Sequence, residues 1–216
     1  MKTIFLILFT GLKIWIKKRK EAKQTNPSLL KKKRMVLVIA VSAMCMIAGC
    51  GNTVKDGTEA LEQGDYDTAI ASFEEAAGSD DKEEAAEGYC GLGMTYYEQK
   101  QYDQALEMLE KAFDNGTVKT AELCNLAGTS ALCKEDYAKA LEYIQEGIAL
   151  AEEKQGNKKQ EDKKQETLLQ EMKYNEIICL EKTADWEMAK EKMSEYQAAY
   201  PEDDSVAKEA EFLQTR

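Results

Sequence analysis

The chain has 216 residues, of which 32% are charged, only two are proline and none is histidine, so the composition favours one helix-rich domain. Without histidine, Ser/His/Asp and Cys/His catalysis are excluded, and no GxxxxGK phosphate loop occurs, so we expect a non-catalytic protein without metal or cofactor. Residues 1–50 hold 11 Lys and Arg against one acid, whereas the rest of the chain carries a net charge of −21, which argues against nucleic-acid binding.

The first predicted element is a secretory signal. A basic block, residues 31–34, precedes an uncharged apolar stretch that ends in Ile47-Ala48-Gly49-Cys50. Basic, apolar and small residues in this order are typical of an exported protein. Ile-Ala-Gly-Cys resembles the bacterial lipobox, which implies a lipid on the Cys50 sulfur and cleavage before that residue. The alternative is an uncleaved transmembrane helix, because about 17 apolar residues are marginally enough to span a bilayer.

Residues 1–30 precede this signal and are harder to interpret. They contain a second apolar run, Ile4 to Ile16, which is too short to span a bilayer comfortably. A lipoprotein signal usually starts with its basic block. Our hypothesis is that translation starts near Leu29 or Leu30 and that residues 1–28 are not made. The alternatives are a long basic region of the signal or a short membrane-surface helix.

The remaining chain contains an internal repeat in which an aromatic residue is followed three residues later by alanine. The four alanines are separated by 36, 35 and 49 residues. The pairs are Tyr66 and Ala69, Tyr102 and Ala105, Tyr137 and Ala140, and Trp186 and Ala189. A period near 34 with small residues in the preceding segment resembles the tetratricopeptide repeat, a pair of antiparallel helices that stacks on the next pair. Glycine precedes the alanine by 12 residues in three repeats, and Ile177 takes its place in the fourth.

The resemblance implies an all-α protein, a tetratricopeptide-type α-solenoid of about four helix pairs plus a C-terminal capping helix. Residues 1–49 would be the N-terminal extension and signal, and residues 50–216 the repeat domain. We place the repeats at roughly 51–84, 86–119, 121–154 and 170–203, with a charged insert at 152–166 and a cap helix at 204–214. The insert contains no apolar residue, so it is a mobile loop around Gly156 and Asn157 or an extension of the flanking helices. A solvated spacer is favoured over a recognition element.

Four cysteines follow the signal: Cys90, Cys124, Cys133 and Cys179. An even number outside the cytoplasm would allow disulfides. Their spacings provide no CxxC pair, and cysteine also serves as a small apolar residue in packed helices. We therefore predict buried thiols and no zinc site.

Stacked helix pairs curve, and the resemblance implies a concave groove lined by the first helix of each pair. The family's usual contact positions fall on Glu87, Cys90, Met94, Tyr97 and Glu98 in repeat two, and on Glu122, Asn125, Thr129, Leu132 and Cys133 in repeat three. This mixture predicts a protein or peptide partner with basic and apolar residues. The lysine and asparagine clamp that some relatives use for a terminal carboxylate has no counterpart here. Alternatively, these residues only pack.

The sequence leaves two hypotheses for function. The first is a lipoprotein anchored on the extracytoplasmic face of a bacterial cell membrane, acting as a protein-interaction scaffold. The second is a ligand- or substrate-handling accessory of an envelope transport or glycan system.

Overall fold

The computed structural model describes residues 52–156 and 163–216. The predicted lipobox residues Ile47, Ala48 and Gly49, the lipidation site Cys50 and the middle of the charged insert lie outside the described residues. The interpretation of residues 1–49 therefore stays a prediction.

Within the described ranges the protein consists of nine α-helices and one 3₁₀ turn, with no β-strand. The all-α prediction of four helix pairs and a terminal cap is confirmed. The helices are α1 (Asn52–Gln63), α2 (Tyr66–Ala77), α3 (Lys82–Glu98), α4 (Tyr102–Asp114), α5 (Ala121–Cys133), α6 (Tyr137–Gly156), α7 (Lys163–Lys182), α8 (Trp186–Ala199) and α9 (Ala207–Gln214), and the 3₁₀ turn spans Asp204–Val206.

The aromatic residue of each repeat is the first residue of the second helix in its pair. An acidic N-cap precedes three of these helices: the side chains of Asp65, Asp136 and Asp185 accept hydrogen bonds from backbone N–H groups in the first turn. Such caps satisfy donors that the helix itself leaves unpaired. These aspartates therefore fix where the second helix begins, directly after the turn that reverses the chain between the two helices of a pair.

Local contacts set the helix bounds near the second repeat and the insert. The carboxylate of Asp81 accepts from the N–H groups of Glu83 and Glu84 at 2.8 and 3.4 Å, so α3 begins at Lys82. Helices α6 and α7 reach Gly156 and Lys163. Both ends of the polar insert are therefore helical extensions of the flanking helices.

Small residues on the first helices face large residues on the second helices. A Cβ atom built on Gly93 would lie 2.7 Å from Leu109, and one built on Gly128 would lie 2.7 Å from Ile144. Both large side chains are fully buried. Glycine therefore allows the two helices of a pair to approach more closely than any other residue would.

The fourth pair reaches a similar fit with different residues. Ile177 occupies the glycine position of α7 and is fully buried, in the same cluster as Met193 of α8. Methionine is unbranched and flexible, so it fills an irregular space beside a bulky neighbour. This substitution explains why the fourth repeat is the hardest to see in the sequence.

The stacking gives the solenoid an inner and an outer face. Helix α1 contacts α3, α3 contacts α5, and α5 contacts α7, whereas successive second helices make no comparable contact among the described helices. First helices that lie closer together than second helices produce a curved stack with the first helices on the inside. We refer to the surface of α3, α5 and α7 on that side as the inner face. No helix in the described ranges is long and apolar enough to cross a membrane.

We predict that Gly88→Ala destabilises the fold. Its Cβ would lie 2.3 Å from the backbone nitrogen of Ala77, and a backbone atom cannot move aside as a flexible side chain can. Overpacking of this kind costs about 1–3 kcal/mol, which urea denaturation would detect as a lower free energy of unfolding.

Gly78→Ala is the matched control. Gly78 has a φ of −85°, and its nearest neighbour for a new Cβ is the Glu75 carbonyl oxygen at 3.5 Å, an ordinary contact. Its effect should stay within about 0.5 kcal/mol. Equal stability of the two variants would contradict the proposed tight approach of α3 to α2.

Candidate functional site

Three of the predicted groove residues are buried. Cys90, Met94 and Asn125 are 1%, 6% and 3% exposed, and the Cys90 thiol lies 4.0 Å from the Met94 sulfur. They fill space between helices because the first helices pack closely on their neighbours. These three residues therefore support the inner face from below and do not form its surface.

The other predicted groove residues reach the surface. The partly exposed ones are Glu87, Tyr97, Glu98, Glu122, Thr129 and Leu132, and Cys133 is exposed. They belong to α3 and α5, which are neighbours in the inner row. The surface that they contribute is acidic, with one aromatic and one aliphatic side chain.

A chain of polar contacts crosses the inner face from α3 to α7. The hydroxyl groups of Tyr97 and Thr129 are hydrogen-bond partners, and the Thr129 hydroxyl lies 3.5 Å from the side-chain oxygen of Asn125. The Asn125 side-chain N–H donates to a carboxylate oxygen of Glu171 at 3.3 Å. Burial, with a smaller contribution from the Glu171 charge, raises the pKa of Tyr97 well above its usual value, so this hydroxyl stays protonated. The contacts fix the positions of side chains from three successive repeats.

Glu171 was missing from the groove predicted from the sequence. It precedes the alanine of its repeat by 18 residues, as Glu87 and Glu122 do in repeats two and three. The same offset identifies it, because Ile177 and Ala189 already fix the register of repeat four. We call Glu87, Glu122 and Glu171 the acidic row.

The electrostatic character of this face follows from the composition of its helices. Helix α5 contains no lysine or arginine, and α3 contains only Lys82, its first residue, whereas α7 carries four lysines along with four glutamates and so contributes no net negative charge. One carboxylate oxygen of Glu122 is buried and has no hydrogen-bond partner within the described part of the chain. A buried acceptor without a donor costs free energy.

A second concavity lies between α6, α7 and α8. Its volume is about 170 Å³, and it is lined by Ile148, Glu152, Lys173, Glu176, Lys192, Glu195 and Tyr196. The Lys173 and Lys192 ammonium groups lie 2.7 and 3.0 Å from glutamate oxygens within the cleft. The two lysine charges of this cleft are therefore compensated by glutamates of the same cleft.

The four cysteines in the described ranges are reduced thiols. Cys90, Cys124 and Cys179 are buried, whereas Cys133 is exposed. Burial raises the pKa of the Cys124 and Cys179 thiols to about 12, so little thiolate forms at neutral pH. Among residues 52–156 and 163–216 no three His, Cys, Asp or Glu side chains are grouped so as to hold a metal ion.

Comparisons with known proteins agree with this geometry. Residues 55–117 match the family model of the tetratricopeptide repeat. Among solved structures, the fold is similar to YrrB, described as "a TPR protein with an unusual peptide-binding site", with 20% identity, a TM-score of 0.63 and coverage of 76% of this chain and 75% of YrrB. It is also similar to the MamA protein, with 19% identity, a TM-score of 0.59 and coverage of 74% and 78%. No curated protein sequence matches the chain. The fold is that of a tetratricopeptide-repeat protein.

We predict that a maleimide reagent at pH 7 modifies Cys133 of the folded protein much faster than it modifies Cys90, Cys124 or Cys179. Exposure gives the reagent access to Cys133, whereas burial shields the other three. Peptide mass spectrometry after a short reaction would measure each site separately, and labelling in denaturant would serve as the control. Comparable rates at all four cysteines, or a disulfide-linked peptide pair, would contradict the packing described above.

Proposed function

We propose that this protein is a non-catalytic scaffold whose inner face binds a basic segment of a partner protein close to a bacterial membrane. Tetratricopeptide folds are generally interaction modules rather than enzymes, and such modules bind peptides or proteins. For this chain we propose in addition that the inner face is the binding surface, that the partner segment is positively charged, and that the protein is anchored to the membrane.

The acidic row is the observation that carries the proposal. Three successive repeats each place a glutamate at the same offset on a first helix. Carboxylates that recur along one face attract cations, so a cationic segment of a partner would be steered to this face.

Tyr97 and Leu132 supply the apolar part of the same surface. Both are partly exposed, and both precede the alanine of their repeat by eight residues. The Tyr97 ring also lies 5.7 Å from the Tyr102 ring in an edge-to-face arrangement, which fixes its orientation. An oriented aromatic ring beside carboxylates suits lysine or arginine, because the ring face attracts the cation and the carboxylate binds it.

Helix packing suggests the spacing of the basic residues. Neighbouring packed helices lie about 8–10 Å apart, so the acidic row would repeat at about this distance. A peptide in the polyproline II conformation presents every third side chain on one face with a repeat of about 9 Å. A partner segment with lysine or arginine at every third position therefore matches the row.

The anchoring part of the proposal rests on the sequence before the fold. Helix α1 begins at Asn52, two residues after Cys50. If lipid is attached to Cys50, this short connection holds the repeat domain close to the membrane surface on the extracytoplasmic side. The partner would then have to be within reach of the same membrane.

Neither the comparisons nor the cleft between α6, α7 and α8 supports the alternative function of a ligand- or substrate-handling accessory. The cleft is small, and its two lysines already pair with glutamates. Small-molecule sites are usually larger and mostly apolar, with volumes of about 300–1,000 Å³.

We predict that a fluorescent 12-residue peptide with lysine at every third position, and with proline and leucine between, binds the protein in a fluorescence-anisotropy titration. Combining Glu87→Gln, Glu122→Gln and Glu171→Gln should weaken this binding by about tenfold or more, because the variant removes the charges that attract the peptide. Added salt should weaken binding to the unmodified protein in the same direction.

The control variant combines Glu75→Gln, Glu142→Gln and Glu191→Gln, three exposed glutamates on second helices. It changes the net charge equally but leaves the acidic row intact. Equal losses in the two variants would show that only overall charge matters and would refute the inner face as the binding surface. A peptide with glutamate in place of lysine should not bind.

We also predict that cells fed an alkyne-tagged fatty acid incorporate the tag into the protein and that Cys50→Ser abolishes the labelling. The acyl chains of a lipoprotein are carried by the cysteine that ends the lipobox, so serine cannot replace it. Cys45→Ser, within the same apolar stretch, should leave the labelling unchanged. Tag retained in Cys50→Ser would contradict Cys50 as the lipidated residue, and no tag in the unmodified protein would argue for the uncleaved transmembrane alternative.

A further inference from the structure

The cleft between α6, α7 and α8 contains a buried carboxylate. Glu176 of α7 lines this cleft and is only 5% exposed. The side-chain N–H of Gln145 on α6 donates to one of its carboxylate oxygens at 2.9 Å. This partner is a neutral amide, whereas buried charges in proteins are usually paired with an opposite charge.

The position of Glu176 belongs to the packed core in the interior repeats. It precedes the alanine of its repeat by 13 residues, as Leu92 and Ala127 do in repeats two and three. Leu92 and Ala127 are 3% and 0% exposed. A charged side chain therefore replaces a core residue at the junction between repeats three and four.

The preceding junction is filled by two aromatic rings. The ring centres of Phe113 and Tyr143, from successive second helices, lie 5.9 Å apart. In the register of the repeat, Phe113 corresponds to Ile148 and Tyr143 corresponds to Lys192. Ile148 and Lys192 both line the cleft. The cleft therefore corresponds to a place that aromatic side chains fill one repeat earlier.

The size of the cleft suits a single side chain. Its volume is about 170 Å³. A cavity of about 150 Å³ can hold benzene. An arginine side chain beyond its Cβ atom has as many non-hydrogen atoms as benzene. The cleft is smaller than most small-molecule sites, but it can accommodate one arginine side chain.

The charges of the cleft favour a cation. Three glutamates and two lysines line it, which gives a formal charge of −1. Lys173 pairs with Glu152 at 2.7 Å, and Lys192 pairs with Glu195 at 3.0 Å. Glu176 is the remaining carboxylate of the cleft. Guanidinium is more weakly hydrated than ammonium and offers a carboxylate two parallel N–H groups, so arginine suits a buried carboxylate better than lysine does.

The cleft opens on the outer side of the solenoid. Helix α7 contacts both α6 and α8, whereas α6 and α8, two successive second helices, make no comparable contact with each other. The gap between α6 and α8 is therefore the opening, and it lies opposite the inner face. A partner can reach it without passing the acidic row.

We propose that this cleft receives the side chain of an arginine on a partner protein, with the guanidinium bound to the Glu176 carboxylate and the alkyl stem against Ile148. The contact holds the partner on the outer side of the junction between repeats three and four. It does not depend on what the inner face binds.

The test is an NMR titration of the isotope-labelled full-length chain with N-acetyl-arginine amide. Backbone signals of the cleft residues should shift saturably, with a Kd that is about millimolar because the ligand is small. N-acetyl-citrulline amide has nearly the same shape and no charge, so it should leave these signals unchanged. Equal binding of the two probes would overturn the proposal.

Glu176→Gln should weaken the binding of the arginine probe by about tenfold or more, because it removes the charge and keeps the shape. Ile148→Phe introduces the residue found at the preceding junction and should block the cleft, which provides a second variant should the first fail to fold. Glu142→Gln, an exposed position on α6 outside the cleft, should bind as the unmodified protein does. No saturable shift in the unmodified protein, or unchanged binding in Glu176→Gln or Ile148→Phe, would overturn the proposal.

Two further comparisons separate this cleft from other binding modes. The combination of Glu87→Gln, Glu122→Gln and Glu171→Gln should retain the shifts of the cleft signals, because these glutamates belong to the inner face. Loss of the shifts in that variant would assign the binding to the inner face and refute the cleft. Tighter binding of free arginine than of the capped probe would identify a free amino acid as the ligand and refute the partner side chain.

Discussion

The close approach of the two helices in each pair is the constraint on which the rest of this structure depends. At Gly93 and Gly128 the missing Cβ leaves room for the buried side chains of Leu109 and Ile144. An alanine there would force the second helix outward or its side chain into another rotamer. Because each pair is also the platform for the next, an error in one approach would change the direction of every later pair. The curvature, and with it the inner face, follows from this local fit.

The same stacking brings equivalent positions of the inner helices onto one face. Helix α3 contacts α5, and α5 contacts α7, so the glutamates of the acidic row follow one another from repeat to repeat. The fold does not require acids there, since the packing is made by residues underneath, such as Cys90 and Asn125. The acidic row is therefore a property of the surface and not of the core, and this surface is the one that we propose binds a partner.

Much of the fold could be predicted from the repeat of aromatic and alanine residues, because that repeat reports a local requirement at the start of every second helix. The turns between the two helices of a pair were harder to predict from the sequence. Lys100, Glu135 and Ala184 adopt positive φ values of 65°, 64° and 60° at the place where the first repeat has Gly64. The hydrogen bonds of the turn impose this conformation on residues that rarely adopt it, so no glycine marks it in the sequence. The repeat pattern also did not predict which groove positions are exposed. Sequence offsets identified the helix face to which Met94 and Asn125 belong, but the burial of these side chains depends on how the neighbouring pair packs against them.

The end of the solenoid shows what happens where the repetition stops. An interior pair packs between two similar pairs. The fourth pair has such a neighbour on one side only, and its other side is covered by α9 and the short turn before it. The position eight residues before the repeat alanine holds Tyr97 in repeat two and Leu132 in repeat three, but Glu181 in repeat four. Glu181 is only partly buried there, and one of its carboxylate oxygens is buried without a hydrogen-bond partner among the described residues, so the contact that ends the stack is less complete than the contacts between interior pairs.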